Sequence, residues 1–250
     1  MCVLFFAHQT HPRYGLVFAG NRDEFYERPT ATAGWWEDYP NILAGRDLKA
    51  GGTWLGVTRA GRWSVVTNVR DIPAHRERDR SRGDLVKDFL AGSSSPEAFA
   101  RQVFSERDEF NPFNLIVGDA EAVWIVSTHT DAPEELAPGI YGLSNATLYE
   151  PWPKVKRGRA AFERALEEAE PDSETCLAFL HDSEHPPDDD LPNTGVELDM
   201  ERMLSPLFIA SGRYGTRAST VILLNEDGGR FVERSYLEGG VEGGTVEFSF

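Results

Sequence analysis

At 250 residues the chain can form one large domain or two small ones, and it is read as a single domain spanning 1–250; 40% of its residues are hydrophobic and 11% aromatic, enough to bury a sizeable core. Its net charge of −16 argues against nucleic acid or an anionic membrane surface as a partner. Two cysteines, Cys2 and Cys176, exclude a disulfide framework, and no run reaches the ~18–20 apolar residues of a membrane span. The N-terminus has neither the basic region nor the cleavage site of a signal peptide, so a reduced cytoplasm is the expected compartment.

In chain order, residues 3–8 and 15–20 are apolar runs on either side of a His11-Pro12-Arg13 turn and predict an antiparallel hairpin. Residues 26–53, rich in glycine and proline, read as a loop excursion. Residues 54–58 and 63–68 predict a second hairpin, ending on Asn68, and 71–83 a charged, mobile loop. Ser81 is placed to cap a helix to about Ala91, and Ser95-Pro96 to start another. Residues 113–118 and 122–127 predict a third hairpin, and Tyr141 to Asn145 a short strand. Helices are expected from Trp152 to Glu168 and from Ser173 to His181. Residues 182–206 read as a surface loop, in which Asp188-Asp189-Asp190 is better explained as solvated acid than as a cation site. Residues 218–224 and 230–237 flank a turn at 225–229, and 244–249 alternate as a last strand. Antiparallel sheet with helices gathered mid-chain gives an α+β class.

The chemistry concentrates at the N-terminus. A residue as small as cysteine after the initiator permits removal of Met1, which leaves Cys2 with both a thiol and a free α-amine. The amine, with a pKa of about 7.7–8.0, can take the thiol proton. The first hairpin brings Asn21-Arg22-Asp23 back beside Cys2. There Arg22 can stabilise a thiolate and Asp23 can hold the amine. On position alone, a buried strand cysteine beside a surface ion pair is an equally good account. Asn68, Asn145 and Arg217 stand at the ends of apolar strands; an asparagine amide donates hydrogen bonds without charge, as an oxyanion site requires. Trp35, Trp36 and Trp54 either line an apolar pocket or pack onto the sheet. The six histidines show no metal-ligand spacing, and no phosphate-binding glycine loop is present.

Asn21-Arg22-Asp23-Glu24-Phe25-Tyr26-Glu27-Arg28-Pro29 resembles the signature of the NRDE family, also called the transport and Golgi organisation protein 2 family. Leu43-Ala44-Gly45-Arg46-Asp47-Leu48, Gly51-Gly52-Thr53-Trp54-Leu55-Gly56-Val57, Tyr141-Gly142-Leu143-Ser144-Asn145 and Tyr214-Gly215-Thr216-Arg217 continue the resemblance along the whole chain. That family is in turn similar to cysteine N-terminal nucleophile hydrolases such as penicillin V acylases and bile salt hydrolases. The resemblance implies a four-layer αββα sandwich and hydrolysis of a carbon–nitrogen amide bond in a small molecule. It also implies roles: Cys2 as nucleophile and base, Asp23 at the terminal amine, Asn68 and Asn145 at the oxyanion, and Arg217 near the nucleophile. Arg22 departs from the pattern, since the bile salt hydrolases carry their arginine earlier. No cofactor is expected. Haem is a conceivable ligand, and the alternative implied by eukaryotic relatives is a non-catalytic haem or acyl-lipid binding and trafficking protein that uses the same pocket.

Overall fold

The computed structural model describes residues 2–167 and 171–250, so the end of the expected 152–168 helix, Glu168, lies outside the described residues. The chain divides into two compact units, Met1–Glu27 with Pro138–Ser249, and Arg28–Ala137 with Phe250.

The first unit is built on six antiparallel strands. They are β1 (Cys2–His8), β2 (Leu16–Phe25), β10 (Gly139–Leu143), β11 (Tyr214–Asn225), β12 (Gly228–Leu237) and β13 (Val241–Ser249), in the order β10-β1-β2-β11-β12-β13. The expected N-terminal hairpin is present, with Cys2 opposite Arg22 and His8 opposite Leu16. Helices α3 (Pro153–Leu166) and α4 (Ser173–Leu180) cover one face, where Val3, Phe5, Ala7, Val17 and Ala19 pack with Val155, Phe162, Cys176, Leu177 and Leu180. Strand alternation sends every second side chain to that face. Gly158 is what lets α3 lie so close: a Cβ there would come within 2.2 Å of the Phe5 ring.

The second unit carries seven antiparallel strands in the order of the chain. These are β3 (Thr30–Trp35), β4 (Ile42–Asp47), β5 (Leu55–Thr58), β6 (Trp63–Asn68), β7 (Phe113–Gly118), β8 (Val123–Ser127) and β9 (Glu134–Glu135). Helices α1 (Arg82–Ala91) and α2 (Pro96–Ser105) bury Leu85, Val86, Phe89, Phe99 and Val103 against one face of the sheet. The expected Ser81 cap is made, as a capping box in which Asp84 returns a bond to the Ser81 N–H.

Two expectations need correction. Residues 26–53 are not a loop, because they hold β3 and β4. The alternation there is hidden by a register shift between Ala31 and Gly34 and by an edge strand that is mostly half-exposed. Residues 182–206 are not wholly irregular either: they contain the short helix α5 (Leu198–Met203), six residues without a side-chain cap.

Candidate functional site

The site is assembled where β1, β2 and β11 end together. Cys2, the first described residue of β1, faces Arg22 across the β1–β2 ladder, and Arg22 in turn faces Ala218 on β11. Both side chains are buried. Alternation places Cys2 and Arg22 on one face of the sheet and Asn21 and Asp23 on the helix-covered face. The Asn-Arg-Asp run is therefore a strand presenting groups to two sides. Asn21 is structural: its Nδ2 donates to the carbonyls of Leu180 (2.8 Å) and Leu207 (3.0 Å), and its Oδ1 accepts from Ser219 Oγ at 2.6 Å.

Asp23 is buried and held from β11. Thr216 Oγ1 donates to Asp23 Oδ1 at 2.8 Å, and the Thr216 oxygen accepts from the Ile209 N–H at 3.0 Å. Tyr214 Oη donates to the Asp23 carbonyl. The Asp23 backbone also hydrogen-bonds the Cys2 thiol. Beside these, Arg217 occupies the position where the β2–β11 register slips, between Thr216 and Ala218. The irregularity turns its guanidinium along the strand end, where Nη1 donates to the carbonyls of Phe25 (3.0 Å) and Tyr26 (3.1 Å). Gly215 permits this crowding, since a Cβ there would stand 2.2 Å from the Tyr26 hydroxyl and 2.5 Å from the Ile209 carbonyl.

From the other side, β10 carries Asn145 to the level of Cys2. Leu143 pairs with Leu4, and Asn145 follows two residues later, fully buried. Ser144 Oγ lies 2.9 Å from the Cys2 carbonyl and 3.1 Å from Asn145 Oδ1, tying the asparagine to the Cys2 backbone.

The electrostatics are those of a buried cluster. Burial pushes the Cys2 thiol above its ordinary range, and the Asp23 charge adds to this while Arg22 opposes it. Burial likewise raises the Asp23 carboxyl, against the pull of Lys154, the Thr216 hydrogen bond and Arg22. Arg217 is lowered by burial and by the neighbouring Arg22 charge. Arg22 Nη2 approaches Glu24 Oε2 at 3.7 Å, and its buried Nη1 has no hydrogen-bond partner among the described residues. Among those residues no group of three His, Cys, Asp or Glu side chains is placed to hold a metal ion.

Five of the expected residues thus meet in the first unit: Cys2, Arg22, Asp23, Asn145 and Arg217. The other four belong to the second unit. Asn68 is the half-buried last residue of β6. Trp36 packs in the core beneath α1 and α2, its Nε1 donating to the Ala44 carbonyl and the Arg46 guanidinium lying over its ring. Trp35 is half-buried under Arg59, and Trp54 is buried just before β5. Met1, on which processing turns, lies outside the described residues.

Ser144, Thr216 and Lys154 were not singled out from sequence as site residues. Lys154 had a legible signal. It is one of only four lysines, and it stands one residue after Pro153 in the first turn of α3, where the helix dipole disfavours a cation.

Two of the solved structures that resemble this chain cover most of both chains. One is the Caenorhabditis elegans ortholog of N-acylethanolamine-hydrolyzing acid amidase, with a TM-score of 0.51, 13% identity, and coverage of 88% of this chain and 92% of that one. The other is a mutant of conjugated bile acid hydrolase from Clostridium perfringens, with a TM-score of 0.57, 8% identity, and coverage of 100% and 92%. These bear out the α+β fold class of N-terminal nucleophile hydrolase type. In sequence, the Bos taurus Transport and Golgi organization protein 2 homolog is 35% identical over 263 residues, covering 95% of this chain and 94% of the relative. The model of the Transport and Golgi organisation 2 family matches residues 1–238. The chain belongs to the Transport and Golgi organisation 2 family.

Proposed function

We propose that the chain is an N-terminal cysteine nucleophile hydrolase that cleaves a carbon–nitrogen amide bond of a small acyl amide. The observation that carries this reading is the convergence of Cys2, Arg22, Asp23, Asn145 and Arg217 at one end of the first sheet. With Met1 removed, the Cys2 amine takes the thiol proton and the thiolate attacks the amide carbonyl. Asn145 stabilises the oxyanion. The ammonium returns the proton to the departing nitrogen as the C–N bond breaks, leaving a thioester. Water then attacks the thioester, giving the carboxylic acid and restoring the thiol. Asp23 holds the amine, and Arg22 and Arg217 supply positive charge near the thiolate. The names of the two structural relatives, an N-acylethanolamine-hydrolyzing amidase and a conjugated bile acid hydrolase, support an acyl amide as the substrate class.

One observation favours a second reading. Burial raises the Cys2 thiol, which is the wrong direction for a nucleophile standing without a base. A haem or acyl-lipid binding and trafficking protein of the same fold has no need of a reactive thiol. Intact mass and a thiol-directed probe on wild type and Cys2→Ala separate the two. The hydrolase loses one methionine and is labelled at Cys2, whereas retained Met1, unreactive Cys2 and a haem absorption band support the binding protein. In either case no helix among the described residues is long and apolar enough to cross a membrane.

A further inference from the structure

We infer that Ser144 is a positioning residue for the oxyanion donor, its hydroxyl fixing the Oδ1 end of the Asn145 amide so that the Nδ2 end is presented to the reacting carbonyl. The inference deepens the hydrolase reading and rests on it. β10 pairs with β1 as far as Leu143 opposite Leu4, and the register counted two residues further would set Asn145 against Cys2. The ladder stops at Leu143, and beyond it the Ser144 side chain takes over. Its Oγ donates to the Cys2 carbonyl at 2.9 Å and lies 3.1 Å from Asn145 Oδ1. All three residues are buried, Ser144 at 3% exposure and Asn145 at 1%.

A serine hydroxyl carries one hydrogen, and a main-chain carbonyl and an amide oxygen are both acceptors. The Ser144 hydrogen is therefore shared between Cys2 and Asn145. An amide is planar, with its oxygen and nitrogen turned away from one another, so anchoring Oδ1 at Ser144 directs Nδ2 away from Ser144. The two ends of an asparagine amide are almost the same in shape and opposite in chemistry. With Nδ2 forward the side chain donates to a developing oxyanion; turned end for end, it would meet that charge with an acceptor and repel it. Burial strengthens both outcomes. Loss of the hydroxyl removes an anchor from the Oδ1 end and one donor from the Cys2 carbonyl. Cys2 itself keeps its register, because the β1–β2 ladder holds it opposite Arg22. Ser144 thus serves a step that builds negative charge on oxygen, and not one that merely consumes the thiolate.

The test compares two reactions of Cys2 in protein lacking Met1. Iodoacetamide alkylates the thiolate with loss of iodide and passes through no oxyanion. p-Nitrophenyl acetate acylates it: sulfur attacks the ester carbonyl, an oxyanion forms and collapses, the C–O bond breaks, and p-nitrophenolate departs to leave a Cys2 thioester. Single-turnover release of p-nitrophenolate, with the mass gain of one acetyl group on the Cys2 peptide, follows the second reaction. For Ser144→Ala we expect acylation about tenfold slower, with alkylation within about twofold of wild type. Ser144→Thr, which keeps the hydroxyl, should restore acylation. In the Asn145→Ala background, itself about a hundredfold slower in acylation, Ser144→Ala should cause no further fall, because Ser144 acts through Asn145. A folded Ser144→Ala protein that acylates at the wild-type rate overturns the inference. So does an equal fall in both reactions, or a second full fall in the Asn145→Ala background. Should Ser144→Ala not fold, Ser144→Val against Ser144→Thr makes the same comparison between two β-branched side chains of one shape. Wild-type protein that p-nitrophenyl acetate does not acylate at Cys2 overturns the hydrolase reading and this inference with it, a result distinct from a Ser144→Ala that matches an acylated wild type.

Discussion

Thr216 Oγ1 donates to Asp23 Oδ1 at 2.8 Å, across a ladder in which Thr216 and Asp23 are direct partners. One hydroxyl thus orients the buried carboxylate. Because the folded state raises the Asp23 pKa, it binds the carboxyl proton more tightly than the unfolded chain does. The group therefore costs nothing below its unfolded pKa of about 3.9, and it lowers stability progressively as pH rises through the folded value. Asp23→Asn removes that penalty. Thermal melts should show the variant gaining on wild type as pH rises from about 4, while Cys2 labelling falls about tenfold or more. A variant that loses stability with rising pH relative to wild type contradicts this.

Asn21, next in the same motif, should behave in the opposite way. It makes three buried hydrogen bonds and none involves Cys2. Asn21→Ala leaves the Leu180 and Leu207 carbonyls and the Ser219 hydroxyl short of a partner, at a cost of about 2–4 kcal/mol. Denaturant unfolding should show that loss with Cys2 labelling of the folded fraction within about twofold of wild type. A stable but unlabelled Asn21→Ala would instead make Asn21 part of the site.

Arg22 is buried with Nη1 unsatisfied among the described residues, the kind of cost a fold bears at a working site. Arg22→Met keeps the volume and removes both the charge and the orphan. Its melting temperature should equal or exceed that of wild type. Cys2 labelling at pH 7 should drop about tenfold, since the thiolate loses the positive charge of its ladder partner. A labelling rate unchanged at equal stability would remove Arg22 from the site.

The residues show why part of this was readable in advance. The hairpin joining Cys2 to Arg22 was legible because β1 and β2 are unbroken apolar runs separated by a turn, and register then follows from counting. The same counting puts Arg22 and Asp23 on opposite faces of β2. Strands β3 and β4 escaped because their alternation is interrupted at Ala31–Gly34 and their glycines resemble loop punctuation. Thr216 and Ser144 reach Asp23 and Cys2 through hydrogen bonds to partners 193 and 142 residues away, which no local pattern encodes. Trp36 could have been assigned either way, since an apolar ring fills a core as readily as it lines a pocket.

The two cysteines offer the most direct contrast. Cys176 lies on α4 against Leu177 and Leu180, fully buried, and burial pushes its thiol up to about 12. Its folded pKa exceeds the ordinary thiol value, so it imposes no cost below about pH 9 and lowers stability as pH rises from there towards 12. Cys176→Ala should narrow the alkaline loss of stability and leave labelling at neutral pH untouched. Cys2 is also raised by burial, but it lies beside Arg22 at the end of its strand, and a freed α-amine would give it a base on the same residue. In native protein lacking Met1, iodoacetamide at pH 7.5 should therefore modify Cys2 at least about tenfold faster than Cys176. Unfolding in denaturant should bring the two rates together. Native protein that retains Met1 should show neither site reacting, because the terminal amine then stands one residue away from the thiol. Equal, slow modification of both cysteines in correctly processed protein would count against the nucleophile assignment and for the binding protein.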